Sequence, residues 1–332
     1  MQVIEGLRTA ARAVDATVVF PEGEDWRILQ AAAMLTRERI VRPVLLGDPA
    51  KIVHAATEAE ADLSPSVRML DPATSERVDD FAHRLYEQRK TKGMSHAEAK
   101  ERARDPLVFA AMLVCTGEAG GCVAGAAHAT REVLQAALQA IGLAEGIRVA
   151  SSVFLMILPD GRPLTFGDCA VVPDPDADQL AAIAVASART HQRLTGETPV
   201  VAMLSFSTKG SAEHDAVKKV REATALARQM VPDLVVDGEL QFDAAYVEGA
   251  GRQKAPGSAV AGRANVFVFP NLDAGNIAYK ITERLGGAQA IGPIIQGLAK
   301  PMHDLSRGCK VEDIVTLSAI CALQAKGEGE SV

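Results

Sequence analysis

Close to its carboxyl end the chain sets a hydroxyl, a guanidinium and a carboxylate in one short stretch, Asp304-Leu-Ser-Arg-Gly-Cys-Lys-Val-Glu-Asp313. Ser306 and Arg307 precede Gly308, a residue free to take a tight turn. Asp313 falls in the first turn of a final helical pattern. A turn between them can return Asp313 toward Ser306. Such a set suits acyl or phosphoryl transfer. Asp313 would take a proton from a nucleophile, Arg307 would hold anionic oxygens in its fork, and Ser306 would orient or stabilise the reacting centre. The plainer reading makes Asp313 a helix-dipole residue and Arg307 a surface charge.

Three further polar segments stand where strands should end. Pro21-Glu-Gly-Glu-Asp25 suits helix capping as well as ligand contact. Ser205-Phe-Ser-Thr-Lys-Gly-Ser211 offers hydroxyls, backbone N–H groups and a helix N-terminus, the ingredients of an anion site. Its candidate ligands are Ser207, Thr208, Lys209 and Gly210. An N-cap behind a solvated loop explains the segment equally well. Pro270-Asn-Leu-Asp-Ala-Gly-Asn276 reads as a Pro-Asn turn with an Asp N-cap. Asn276, already inside the helix, is harder to explain structurally. Asn271 and Asn276 join the candidate substrate contacts.

Other chemistries find no motif. No GxGxxG follows a strand, and no GxxxxGK[ST], GxSxG or HExxH is present. The seven histidines are scattered, so no metal site is expected. The five cysteines are odd in number and form no CxxC pair, which suggests free thiols in a reducing compartment. Net charge is -7, no long basic run exists, and aromatics are 4%, so nucleic-acid binding is not expected. No apolar run approaches the length of a membrane span, and the first residues lack a secretory pattern. A cytoplasmic enzyme is the expectation. An acidic chain that binds anions must gather its positive charge locally.

The positioning elements alternate. Thr17–Pro21, Arg42–Asp48, a run near Val67, and Gly121–Ala129 read as strands, the last breaking into a helix that runs to about Ile141. Between them lie helical patterns at 23–35 and 75–116. Ile147–Leu158 and Leu164–Asp174 flank a Pro-Asp-Gly turn and read as an antiparallel hairpin. Strand and helix patterns then alternate to a last helix over about Val311 to Ala325. Alternation argues for mostly parallel sheets covered on both faces, with sites at the carboxyl ends of strands. With 332 residues, two domains are expected. Residues 1–146 with 300–332 would form one, and 147–299 an inserted second. The tail Gly-Glu-Gly-Glu-Ser-Val looks disordered.

The runs PEGED, STKGSAEHD, PDLVVDGELQFDAA, FPNLDAGNIAYK, GPIIQGLAKPMHDLSRGC and EDIV, in that order, resemble the phosphate acetyltransferase (phosphotransacetylase) family over nearly the whole chain. The resemblance implies reversible acetyl transfer between acetyl-CoA and phosphate, giving acetyl phosphate and CoA. It implies two three-layer α/β/α domains with the site in the cleft between them, a homodimer, no bound cofactor, and CoA as a substrate. On matching positions, Asp313 would deprotonate the CoA thiol, which attacks directly without an acyl-enzyme. Ser306 would bond the thiol or the oxyanion, and Arg307 would bind phosphate or polarise the carbonyl. Arg89, in YEQRKTKG, matches an arginine that helps bind CoA or phosphate.

Two positions depart from the family. Its Arg in the pattern LRPALQ is Gln135 here, with Arg131 one helical turn earlier as a substitute. Its ADG is Ala119-Gly120-Gly121, so an Asp is missing. Both are expected in one region, where they would weaken anion binding or alter acyl preference. The alternatives are transfer of propionyl or butyryl groups, or a non-catalytic acetyl-CoA sensor. A decarboxylating dehydrogenase of similar fold lacks support, because its metal-binding aspartates are absent.

Overall fold

In the computed structural model, which describes residues 2–326, the short β-branched runs become strands buried on both faces by helices. The tail at 327–332 lies outside the described residues. The elements run α1 (Gln2–Arg12), β1 (Thr17–Phe20), α2 (Trp26–Arg37), β2 (Arg42–Leu46), α3 (Pro49–Glu58), β3 (Arg68–Leu70), α4 (Val78–Arg89), a 3-10 turn (Lys90–Lys92), α5 (His96–Arg102), α6 (Pro106–Thr116), β4 (Gly121–Ala124) and α7 (Thr130–Ala140). They continue β5 (Ser151–Ile157), β6 (Pro163–Gly167), α8 (Ala177–Thr195), β7 (Val200–Leu204), α9 (Asp215–Met230), β8 (Val235–Leu240), α10 (Phe242–Tyr246), α11 (Glu248–Lys254), β9 (Val266–Val268), α12 (Leu272–Arg284) and β10 (Gln289–Gln296). The chain closes with β11 (Met302–Asp304) and α13 (Val311–Lys326).

The chain divides into two compact units, 1–146 with 298–332, and 147–297. In the first, five strands in the order β11-β4-β1-β2-β3 are all parallel. Val19, Val44, Leu46, Cys122 and Ala124 share a core with α4, α6 and α7. The other face carries α13, which packs on β1, β4 and β11. There a Cβ at Gly121 would collide with the Cys321 sulfur, so this strand position must be glycine. The α6 sequence is apolar all round, and Leu107 through Val114 are buried without a break.

The second unit has six strands in the order β10-β5-β6-β9-β7-β8. β5 is antiparallel to β6, as the Pro-Asp-Gly hairpin requires, and also to β10, and the other pairs are parallel. Alternation along β9 shows why both faces are covered. Val266 and Val268 join α8 and α9, while Phe267 joins α10 and α12. The carboxyl ends of β4 and β11, paired in parallel through Ala124 and Asp304, set two loops of the first unit side by side.

Candidate active site

β11 delivers the Ser306–Asp313 segment. Leu305 is buried, and Ser306, Arg307 and Gly308 then emerge into solvent. The Ser306 carbonyl accepts from Cys309 N–H at 2.8 Å, and its Oγ accepts from Gly308 N–H at 3.3 Å, which closes the expected turn. Asp313, half-buried in the first turn of α13, accepts from Lys310 N–H at 2.9 Å. The helix start thus holds the carboxylate in place. Among the described residues, no hydrogen bond joins Asp313 to Ser306 or Arg307. Burial pushes the Cys309 thiol up to about 11, so it stays protonated and is a poor nucleophile at neutral pH.

Behind this segment stands a network that the sequence did not disclose. Glu22 lies just past β1, and its buried carboxylate fills a nest made by the loop after β4. It accepts from the N–H groups of Gly125 at 3.1 Å, Ala126 at 2.9 Å, Ala127 at 2.8 Å and His128 at 3.0 Å. His128 Nδ1 adds a contact at 2.8 Å. Burial alone would raise the Glu22 pKa, but these hydrogen bonds hold it below its usual value. Arg27 clamps the two loops together, donating to Ala126 O at 2.7 Å and to Arg307 O at 2.6 Å. Asp25 pairs with Arg27 at 2.7 Å and caps α2. Within PEGED, then, Asp25 fits the capping reading. Glu22 does not fit the capping reading, because its partners, four backbone N–H groups and the His128 ring, are a hundred residues away.

Asp304 completes the network. Burial, with the Glu22 charge in support, pushes its pKa up to about 7 against the Thr130 hydroxyl, which donates to it at 2.6 Å. Its Oδ1 is buried with no hydrogen-bond partner among the described residues.

Arg89, the last residue of α4, lines a pocket of about 770 Å³ with Lys92, Arg102, Arg104, Gln139 and Asp105 among its other walls. Glu98 and Glu101 line it too, so four basic side chains share these walls with three acidic ones. Arg131 lies exposed in the first turn of α7 and does not line that pocket.

In the second unit the anion-site ingredients are engaged by their own chain. Ser207 Oγ donates to Glu239 at 2.9 Å, Gly210 N–H donates to the same oxygen at 2.9 Å, and Arg221 reaches the other carboxylate oxygen from α9 at 3.0 Å. Lys209, held at a left-handed φ of 48°, pairs with Asp237 at 2.5 Å. The Thr208 hydroxyl accepts from Gln241 N–H at 2.9 Å. The N-cap of α12 is Asn271, not Asp273. An Asn one residue after the Pro puts its oxygen 3.0 Å from Ala274 N–H, and Asp273 already lies within the first turn. Asn276, unexplained by sequence, donates to Cys169 O at 3.0 Å and accepts from Lys280 at 2.7 Å. Among the described residues, no group of His, Cys, Asp and Glu is arranged to hold a metal ion.

A model of the phosphate acetyl/butaryl transferase family matches residues 2–322. The chain belongs to this family. It is 46% identical to a phosphate acetyltransferase of Acetivibrio thermocellus, over 98% of this chain and 99% of that one. It is 47% identical to that of Thermoanaerobacterium thermosaccharolyticum, over 98% of this chain and all of the relative. A solved phosphotransacetylase from Streptococcus pyogenes superposes with a TM-score of 0.92 at 44% identity, covering 98% of each chain.

Of the two positions that depart from the expected pattern, Gly120 lies away from the catalytic segment. Gly120 precedes β4, its N–H on Thr17 O at 2.8 Å, and a Cβ there would meet Ala16 and Ala325. That is the amino end of the parallel sheet, whereas Ser306 and His128 follow its carboxyl end. Gln135 is exposed on α7, one turn before Gln139 in the Arg89 pocket. A strand's length therefore separates Gly120 from Ser306 and His128.

Proposed function

We propose that the protein is a phosphate acetyltransferase, moving an acetyl group reversibly between coenzyme A and phosphate. The observation that carries this reading is the exposed Ser306–Arg307 turn, followed by the Asp313 carboxylate fixed at the start of α13. In the direction of acetyl-CoA synthesis, the thiol sulfur attacks the carbonyl carbon of acetyl phosphate. The carbon–oxygen bond to phosphate breaks, and the thiol proton passes to Asp313 and on to the departing phosphate. A thiol is mostly protonated at neutral pH, so a positioned base accelerates the attack. Ser306 hydrogen-bonds the thiol or the developing oxyanion, and Arg307 holds phosphate oxygens in its fork.

Arg89 and its basic neighbours receive the phosphates of CoA, with Arg131 as a weaker contributor. Ser207, Thr208, Lys209 and Gly210, with Asn271 and Asn276, serve substrate binding by holding their loops in shape. The working form is a cytoplasmic homodimer; the exposed row of Ile277 and Ile281 along α12, with Leu285 just past its end, supports the dimer. No helix among the described residues is long and apolar enough to cross a membrane.

The test is acetyl-CoA formation from CoA and acetyl phosphate by pure, folded protein without added metal. Turnover is expected. Binding of acetyl-CoA without turnover would replace this reading with the sensor. Faster turnover with butyryl phosphate than with acetyl phosphate would shift the acyl class.

A further inference from the structure

The mechanism above leaves one exposed imidazole beside the catalytic segment without a task. We propose that His128, pinned through Nδ1 on the buried Glu22 carboxylate, donates a hydrogen bond from Nε2 to the phosphoryl group of the substrate. The proposal rests on the acetyltransferase reading and assigns that reading a further substrate-binding residue.

Charge sets the direction of the pinning contact. An ionised carboxylate only accepts hydrogen bonds, and Glu22 is kept ionised by four backbone N–H groups. Nδ1 of His128, 2.8 Å away, must therefore carry a proton. The backbone N–H of the same residue lies 3.0 Å from the same oxygen, so the ring is fixed at two points. The imidazole remains one-third exposed, at 33%. Its Nε2 has no partner among the described residues. A second proton on the ring turns Nε2 into a donor, and the surroundings favour that form. The Glu22 hydrogen bond raises the His128 pKa, burial opposes it, and the Glu22, Glu132 and Asp105 charges add to the rise. Beyond Glu22 stand the Arg27 guanidinium and the Asp304 carboxyl.

Position then names the ligand. His128 follows β4 and Ser306 follows β11, neighbours in the parallel sheet. Two ties hold the loops together, Arg27 between Ala126 O and Arg307 O, and Thr130 on Asp304. The first joins a residue two before His128 to Arg307 itself. The second joins a residue two after His128 to the strand end two before Ser306. An imidazolium held at this junction offers a second cation to the group that Arg307 grips. Phosphate and acetyl phosphate are the anions that would use both.

A purely structural His128 would need only its Nδ1. His128→Asn separates the two roles, because the Asn side-chain amide can replace the Nδ1 donor and has nothing at the Nε2 position. KM for phosphate is measured with acetyl-CoA as co-substrate, from about pH 6 to 9, across the range in which an imidazole titrates. The expected result is a KM for phosphate raised about tenfold near pH 6.5, the loss of one charge-assisted hydrogen bond. KM for acetyl-CoA should stay put. The variant-to-native ratio should fall toward one as pH rises and the native imidazolium is lost. Phosphate's own titration cancels in that ratio.

A folded variant with native KM for phosphate would overturn the inference. So would a ratio independent of pH, or equal increases in both KM values. A second measurement needs only the native protein. The His128 ring proton, followed by NMR, should titrate at higher pH in saturating phosphate than without it, and an unmoved titration would also overturn the inference. Those outcomes leave the acetyltransferase reading standing. Native protein without turnover would remove both.

Discussion

Two buried glutamates do the same local job in the two units and end in different chemistry. Glu22 fills a backbone nest after β4, and Glu239 fills the Ser207–Gly210 loop after β7. Each lies next to a parallel-strand end, where successive N–H groups need an acceptor. The difference is the side-chain partner. Glu239 has Arg221, a cation at every working pH, and nearby Asp237 has Lys209 and Arg228. Glu22 has His128, which titrates and keeps one ring nitrogen unpartnered. The Glu239 loop is closed on itself, while the Glu22 loop keeps polar capacity beside Ser306 and Arg307. A hydroxyl-rich loop is thus a poor guide to an anion site until its internal acceptors are counted.

If the chemistry belongs to the Glu22 side, the largest effect of any single change there should be catalytic. Asp313→Ala is expected to lower kcat by about 10²–10⁴-fold, the usual worth of a general base, with CoA binding retained. Steady-state rates across pH check this. Full kcat in the variant at every pH would remove Asp313 as the base. It would also end the contrast between the units.

On the Glu239 side, the largest effect should be on stability. Burial pushes the Glu239 pKa up, but Arg221, the Gly210 N–H and the Ser207 hydroxyl outweigh it, and the pKa falls to about 2. A depressed carboxylate pKa stabilises the fold above the ordinary value near 4.5, and that stability is lost as pH falls toward 2. Glu239→Gln should therefore lower stability at neutral pH, by less than a fully buried pair would, because Arg221 is solvent-screened and keeps Glu213 at 2.9 Å. The loss should shrink in acid. Urea unfolding at several pH values measures it. A neutral-pH midpoint equal to native would mean that the loop is not held by this pair.

Much of this arrangement was legible in the sequence, and the reason for the rest is physical. The strand at Thr17–Phe20, the hairpin around Pro159 and the last helix follow from apolar runs and turn residues, which are local signals. The sequence reading has no strand at Met302–Asp304, because a run of three ending in His and Asp shows neither alternation nor an apolar block. Ile147–Leu158 reads as one strand by its apolar content, yet the strand starts only at Ser151, since apolar content marks burial rather than pairing. In the same way, Ser306, Arg307 and Asp313 were legible because they sit in one segment. Glu22 with Gly125–His128 was not. Four of its five donors are backbone N–H groups, which any residue supplies, and all are distant in the chain. The histidine in Gly-Ala-Ala-His, at a strand-to-helix joint, was the one available signal.

Asp304 sharpens the contrast by pH. No cation offsets its charge, unlike Asp237 in the other unit. A buried carboxyl with a raised pKa holds its proton more tightly folded than unfolded. Its ionisation therefore weakens the fold as pH climbs from the ordinary Asp value, and the penalty is complete above about 7. Asp304→Asn should raise stability at about pH 8 by 1–3 kcal/mol, with no gain near pH 4. Thermal unfolding at the two pH values checks this. A gain that is equal at both would point to packing rather than charge.

The smallest expected effect lies at the Arg89 pocket and tests whether the Glu22 side binds the whole substrate or only its reacting end. Gln135 sits one turn from Gln139 on the pocket wall, so a guanidinium placed at 135 can reach an anion held by Arg89. Such a contact at the rim is solvent-screened and worth under about 1 kcal/mol. Gln135→Arg should accordingly lower KM for CoA by about two- to fivefold and leave KM for phosphate alone. If KM for phosphate falls instead, α7 serves the phosphoryl end, and His128 and position 135 belong to one site. If neither KM moves, Lys92, Arg102 and Arg104 already supply what the family arginine supplies, and the exchange at 135 is silent.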